Sequence, residues 1–274
     1  MTVLQVNGLA THVQQVRPVP PPEGPTPVAV LIHGTATDSM ASWYLTLAKP
    51  LAEAGFQVVM YDLRGHGHSE RPPSGYRLDD FVDDLAALLE TLAITGPVYL
   101  LGNSLGGTIA FCYAVRHPQR VAAIVTIESS PPTPEWMRRI GRRVAALAAR
   151  LPNEDALAEI GAERGQGAQR RAEAVRDLLA TTTIARELPA SPPLDAAAIA
   201  RVTCPVLCLF GGDSAVSELA PAVEALLPQA RTAVVPGQGH GLLVRAPQAV
   251  RDLVLPWLRE QVQEQPGHHA VHLA

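Results

Sequence analysis

The chain has 274 residues, 47% of them hydrophobic, with a formal net charge of −4. That length holds one large α/β domain or two small ones around an ample core, and the mild acidity leaves no electrostatic footprint for a nucleic-acid partner. No apolar run approaches bilayer-spanning length and the first residues lack the basic-then-apolar order of a secretory leader, so a cytoplasmic protein with no membrane contact is expected.

In chain order, residues 3–6 and 12–16 read as two short strands joined through Asn7-Gly8, a pair suited to the left-handed positions of a tight hairpin. A proline-rich connection follows at 17–27. Apolar runs then alternate with amphipathic stretches: 28–32, 43–54, 57–61, 78–92 and 98–101. Such alternation is the signature of parallel strands joined by crossover helices. It continues through 121–127 and resumes with 206–210, 219–227, 232–235 and 249–262. The three cysteines, Cys112, Cys204 and Cys208, contain no C-x-x-C pair, which argues against a disulfide framework or a zinc site and for buried apolar filler.

Between the two alternating halves, residues 129–202 hold no strand-like run and are rich in Ala, Arg and Glu. This segment is expected to be a helical cap, giving a core of residues 1–130 and 203–264, a cap at 131–202 and a flexible tail at 265–274. Within the cap, Trp136, Ile140, Val144, Leu147 and Leu151 recur at helical spacing and form one apolar face. Arg138, Arg139, Arg142, Arg143 and Arg150 fall off that stripe and are expected to face outward, as a solvated surface or as a dock for an acidic partner such as a carrier protein. No metal role is assigned to His268, His269 and His272 in the tail.

The chemistry concentrates where strands end. In Gly102-Asn103-Ser104-Leu105-Gly106-Gly107 a serine sits between an apolar run and a helix-forming segment, on a turn sharp enough to demand glycine two residues before and after it. A serine hydroxyl needs a base, and the base needs a third group to hold its tautomer. His240, in the glycine-rich loop after 232–235, is the candidate base. Asp213, behind Gly211-Gly212 at the end of 206–210, is the favoured acid, and Glu128, at the end of 121–127, is the alternative. Backbone N–H groups of Thr35 and Leu105 are the candidate oxyanion donors, and His33 is read as a brace for the loop that carries Thr35. Trp43, Ile140, Val144 and Leu242 are the expected pocket residues, there to take a small-molecule acyl substrate.

His66-Gly67-His68 begins like a binuclear metal motif but lacks the Asp-His pair that would complete it, and neither a phosphate-binding loop nor a dinucleotide fingerprint occurs. No metal and no cofactor are expected.

Four segments in order, the His33-Gly34 turn, residues 62–69 (DLRGHGHS), the elbow at Ser104 and the final Gly-Gly-Asp and Gly-His pair, resemble the α/β-hydrolase superfamily. The resemblance implies an eight-stranded, mostly parallel sheet flanked by helices, with a lid inserted after the sixth strand, and a nucleophile, acid, base order of Ser104, Asp213, His240. Some members of that superfamily take their acid from the position of Glu128. A serine at the elbow sets aside the carboxylate-dependent dehalogenases and epoxide hydrolases. The reaction implied is hydrolysis of a carboxylic ester or thioester of a small to medium hydrophobic acid through an acyl-enzyme. The alternatives are a carbon-carbon bond hydrolase of the meta-cleavage product type, whose tryptophan after the histidine is here Gly241, a cofactor-independent cyclase or acyltransferase, and a ligand receptor without turnover.

Overall fold

The computed structural model describes residues 2–20 and 24–264; the expected tail at 265–274, with its three histidines, lies outside the described residues. Eight strands form one sheet: β1 (Thr2–Val6), β2 (Leu9–Val16), β3 (Val28–Ile32), β4 (Gln57–Tyr61), β5 (Val98–Asn103), β6 (Val121–Ile127), β7 (Val206–Gly211) and β8 (Ala230–Val235). Their spatial order is β1-β2-β4-β3-β5-β6-β7-β8, with β2 antiparallel to both its neighbours, β1 and β4, and β3 to β8 parallel to one another. Asn7 and Gly8 turn the first hairpin with φ of 51° and 77°.

Alternation along each strand sends neighbouring side chains to opposite faces. Ala29, Leu31, Val58 and Met60 enter a core with α1 (Ala41–Trp43), α2 (Lys49–Glu53), α11 (Leu242–Arg245) and α12 (Pro247–Glu264). Val30, Ile32, Val59 and Leu100 enter the other core with α3 (Leu78–Thr91), α4 (Leu105–Arg116) and α10 (Ala220–Leu226). The first expected crossover helix is not continuous: a π-helical turn, Tyr44–Ala48, separates α1 from α2.

Between β6 and β7 the chain forms α5 (Pro134–Arg150), α6 (Glu154–Arg164), α7 (Gln166–Thr181), α8 (Ile184–Glu187) and α9 (Ala196–Ile199). Thr133 caps α5 by accepting the Trp136 N–H at 3.2 Å. The insertion is tied to the core at both ends. Trp136 Nε1 donates to Thr108 Oγ1 on α4 at 2.6 Å, and Glu187 accepts the N–H groups of Gly75 and Tyr76 at 2.9 and 2.8 Å.

One buried ion pair fastens the loop after β4. The Arg64 guanidinium grips Asp84 on α3 in a two-pronged contact of 2.6 and 2.5 Å, and Asn7 adds a third donor at 2.9 Å. Removing one partner of such a pair leaves an uncompensated buried charge. Asp84→Ala is therefore expected to cost about 3–5 kcal/mol of stability, read as a lower urea midpoint with an unchanged slope.

Candidate active site

The elbow follows from close packing. Ser104 has φ 51° and ψ −115°, a conformation costly for any residue with a Cβ, and sits directly before α4. A Cβ at Gly106 would land on the Ile32 and His33 carbonyls at the end of β3, and one at Gly102 would land on the Gly106–Gly107 backbone. With glycine at both places the turn closes, the Ser104 N–H donates to Ile127 O at 2.8 Å, and the start of α4 meets the loop after β3.

That loop is held by three side chains. His33 Nδ1 donates to Gly34 O at 2.6 Å while Nε2 accepts the Leu63 N–H at 2.9 Å, a bracing role that defines its tautomer. His66 Nδ1 donates to Arg64 O at 2.9 Å, and Nε2 accepts the Ala36 N–H at 3.2 Å, next to Thr35. Asp38 accepts the Gly34 N–H at 2.7 Å and the Asn103 amide at 2.9 Å, joining the loop to the elbow. Among the described residues, neither the Thr35 nor the Leu105 N–H donates to another protein group. Nothing in the sequence marked Asp38 or His66 for these tasks, because each acts across a gap between loops that only folding closes.

The carboxylate beside the imidazole is a correction. His240 Nδ1 lies 2.9 Å from Glu128 Oε2, whereas Asp213, the favoured acid on sequence grounds, is exposed and makes no side-chain hydrogen bond among the described residues. The physical reason is the backbone. Glu128 leaves β6 with φ 54°, which turns its side chain under the sheet edge, where it is fully buried. There Oε1 accepts the Gly211 N–H at 2.5 Å and Oε2 accepts the Ser214 hydroxyl at 2.5 Å as well as the imidazole N–H. The Gly-Gly turn after β7 thus offers a backbone amide and Ser214 to the site and sends Asp213 outward. Three donors satisfy a carboxylate that water does not reach.

His240, with 29% of its side chain exposed, shares a cavity of about 250 Å³ with Ser104, Leu105 and Thr35. Among the described residues no hydrogen bond joins Ser104 to His240. Trp136, Ile140, Val144 and Leu147 of α5 form the apolar wall. Two expected pocket residues do not reach it: Trp43 and Leu242 are fully buried together in the core on the far face of the sheet, where their helices pack. Of the α5 arginines expected to face outward, Arg138 and Arg150 are exposed and lie outside this cavity, and for the other three the expectation is corrected. Arg139, Arg142 and Arg143 line the same cavity, because their positions flank the apolar stripe and a long aliphatic stem lets a guanidinium stay hydrated beside an apolar wall. Arg139 is engaged by Glu135 and Glu218, whereas Arg143 has no carboxylate partner among the described residues. Arg143 keeps solvent access, yet crowding by the cavity walls lowers its pKa despite the pull of Glu128 and Asp38.

Comparison with known proteins places this architecture. Residues 27–170 match the family model described as alpha/beta hydrolase fold. The 2-(acetamidomethylene)succinate hydrolase of Mesorhizobium japonicum is 30% identical over 236 residues, which is 80% of this chain and 83% of that protein. The crystal structure of E-2-(acetamidomethylene)succinate hydrolase superposes with a TM-score of 0.72 at 26% identity, covering 94% of this chain and 98% of that one. An esterase from Exiguobacterium antarcticum shares the fold at a TM-score of 0.75 and 21% identity, over 94% of this chain and 99% of that one. The chain belongs to the alpha/beta hydrolase family. It is an α/β-hydrolase enzyme.

Burial, with the neighbouring His33 second, lowers the His66 pKa from 6.5 to about 4. The folded state therefore binds fewer protons than the unfolded chain between those values, so the stabilisation is complete above pH 6.5 and is lost as pH falls toward 4. We expect an acid-side loss of about 3 kcal/mol across that window, present in the wild type and missing from His66→Gln, measured by urea unfolding at a series of pH values.

Proposed function

We propose that this enzyme is a serine hydrolase cleaving a carboxylic ester or thioester of a small to medium hydrophobic acid through an acyl-enzyme on Ser104. The observation that carries the reading is the 2.9 Å contact between the buried Glu128 and His240, whose ring lines a cavity with Ser104, Thr35 and Leu105, the last two with N–H groups that have no protein acceptor among the described residues. In this reading Glu128 takes the role first assigned to Asp213. His240 Nε2 removes the Ser104 proton as Oγ attacks the acyl carbon, and the Nδ1–H stays on the Glu128 side, which holds the tautomer and stabilises the imidazolium. Thr35 and Leu105 N–H groups receive the developing oxyanion, each worth about 3 kcal/mol in the transition state. The imidazolium protonates the leaving group. Water, activated by the same histidine, then releases the acid. The name of the Mesorhizobium relative, a 2-(acetamidomethylene)succinate hydrolase, supports a hydrolytic reaction.

The helical insertion acts as a lid in this account. Its apolar wall, Ile140 and Val144 foremost, faces the acyl chain from above the nucleophile.

A fluorophosphonate probe is expected to add a single tag at Ser104, located by peptide mass spectrometry and abolished in Ser104→Ala. Glu128→Gln should lower kcat on a p-nitrophenyl ester roughly 10³-fold or more, while Asp213→Asn stays within a few-fold of wild type; the reverse ranking would return the acid to β7. Ile140→Ala with Val144→Ala should move the preferred acyl length upward in a p-nitrophenyl ester series and leave the probe reaction at Ser104 largely intact. An unchanged profile in a folded variant would reduce the insertion to a cover.

A further inference from the structure

The chain is acidic overall, yet the surface leading to Ser104 is not. Leu147, part of the apolar wall beside the nucleophile, also borders a second and larger cleft of about 570 Å³ between α5, α6, α7 and the loop at Thr37. Arg150, Arg164, Arg171 and Arg245 line that cleft against one acid, Glu163. Arg171 and Thr37 continue into a third hollow that adds Arg71 and one acid, Asp38, whose carboxylate already accepts the Gly34 N–H and the Asn103 amide. Only Arg150 among these has a carboxylate within ion-pair distance, Glu159 at 3.0 Å; among the described residues, Arg71, Arg164, Arg171 and Arg245 have none, and neither has Arg143 on the catalytic side of Leu147. Against a net charge of −4 for the whole chain, four guanidiniums without a carboxylate partner around these two adjoining hollows are a local excess of positive charge. Like charges held close repel, and an arrangement of this kind is relieved by an anion that several forks can share.

We propose that the substrate is an acyl compound with a phosphate-bearing leaving group: the acyl carbon reaches Ser104, and the phosphates lie in the arginine cleft between α6, α7 and the Thr37 loop. The inference rests on the acyl-enzyme reading of Ser104 and names the substrate class for that site. A phosphorylated thiol esterified through its sulfur fits both requirements. Ser104 Oγ forms the new bond to the acyl carbon, the carbon–sulfur bond breaks, and the thiolate takes the proton from His240. Water then splits the acyl-enzyme and restores Ser104. The size of the cleft and its separation from the acyl wall favour phosphate on the leaving group over a carboxylate on the acid, which would meet Arg143 inside the catalytic cavity.

The test compares butyryl-coenzyme A with butyryl-N-acetylcysteamine, which share the acyl group and the sulfur and differ in the phosphates. The expected kcat/KM ratio is about tenfold or more at low salt, falling toward one as ionic strength rises. Arg164→Gln with Arg171→Gln and Arg245→Gln should bring the ratio near one at low salt; Arg171→Gln alone covers the case in which the triple variant does not fold. A parallel pair, mono-p-nitrophenyl adipate against p-nitrophenyl hexanoate, reads a carboxylate on the acid instead. A ratio near one for the thioesters in the wild type, or a preference confined to the adipate, overturns the proposal. Should Ser104 fail to label and neither thioester turn over, the acyl-enzyme reading falls. Coenzyme A binding to Ser104→Ala, by calorimetry at two salt concentrations, then judges the cleft on its own. Salt-sensitive binding supports it and absence of binding overturns it.

Discussion

Everything in the site depends on the contact between the start of α4 and the end of β3. Gly106 lies against the Ile32 and His33 carbonyls with no room for a side chain, and Gly102 lies equally close to the Gly106–Gly107 backbone. This contact brings the Leu105 N–H and the Thr35 loop to one cavity and forces Ser104 to φ 51°. Strain at the serine is offset by the two packed cores on either side of the sheet, which hold both strands in place. Asp38 then bonds to the loop and to Asn103 together, so one side chain ties the turn after β3 to the elbow.

A second strained residue completes the arrangement. Glu128 also has positive φ, at 54°, and its buried carboxylate collects donors from three segments: Gly211, Ser214 and His240. Strand order explains why this works. β6 lies between β5, which carries the serine, and β7, so a side chain at its end has neighbours on both sides. β7 is flanked as well, by β6 and β8, so what separates the two carboxylates is backbone direction: Glu128 turns inward at φ 54°, whereas Asp213 on the turn after β7 is exposed.

The insertion between β6 and β7 contributes the cavity wall and the charge around its mouth. Its first helix combines an apolar stripe with arginines along the stripe's margin, and the long aliphatic stems let the guanidiniums reach the opening while the stripe packs. Packing of Trp136 on Thr108 links that helix to the first turn of α4, only a few residues beyond Ser104.

The sequence by itself determined the class of fold, the strand-helix alternation, the position of Ser104 on its turn and the glycine-bound His240, because each is a local pattern: hydrophobic period, turn chemistry, a steric demand for glycine. Glu128 was visible as a strand-end carboxylate, but its rank below Asp213 came from the commoner layout of the resembled superfamily and from the Gly-Gly turn before Asp213, neither of which says which way a side chain leaves the strand. The tertiary structure alone decided that, through the positive φ at Glu128 and the neighbours that strand order supplies. It likewise moved Trp43 and Leu242 from the expected pocket into the core and brought Arg143 to the cavity. Helical spacing separates an apolar from a polar face, but it does not say what the margin between them will meet, since that depends on segments far apart in the chain that meet only when it folds.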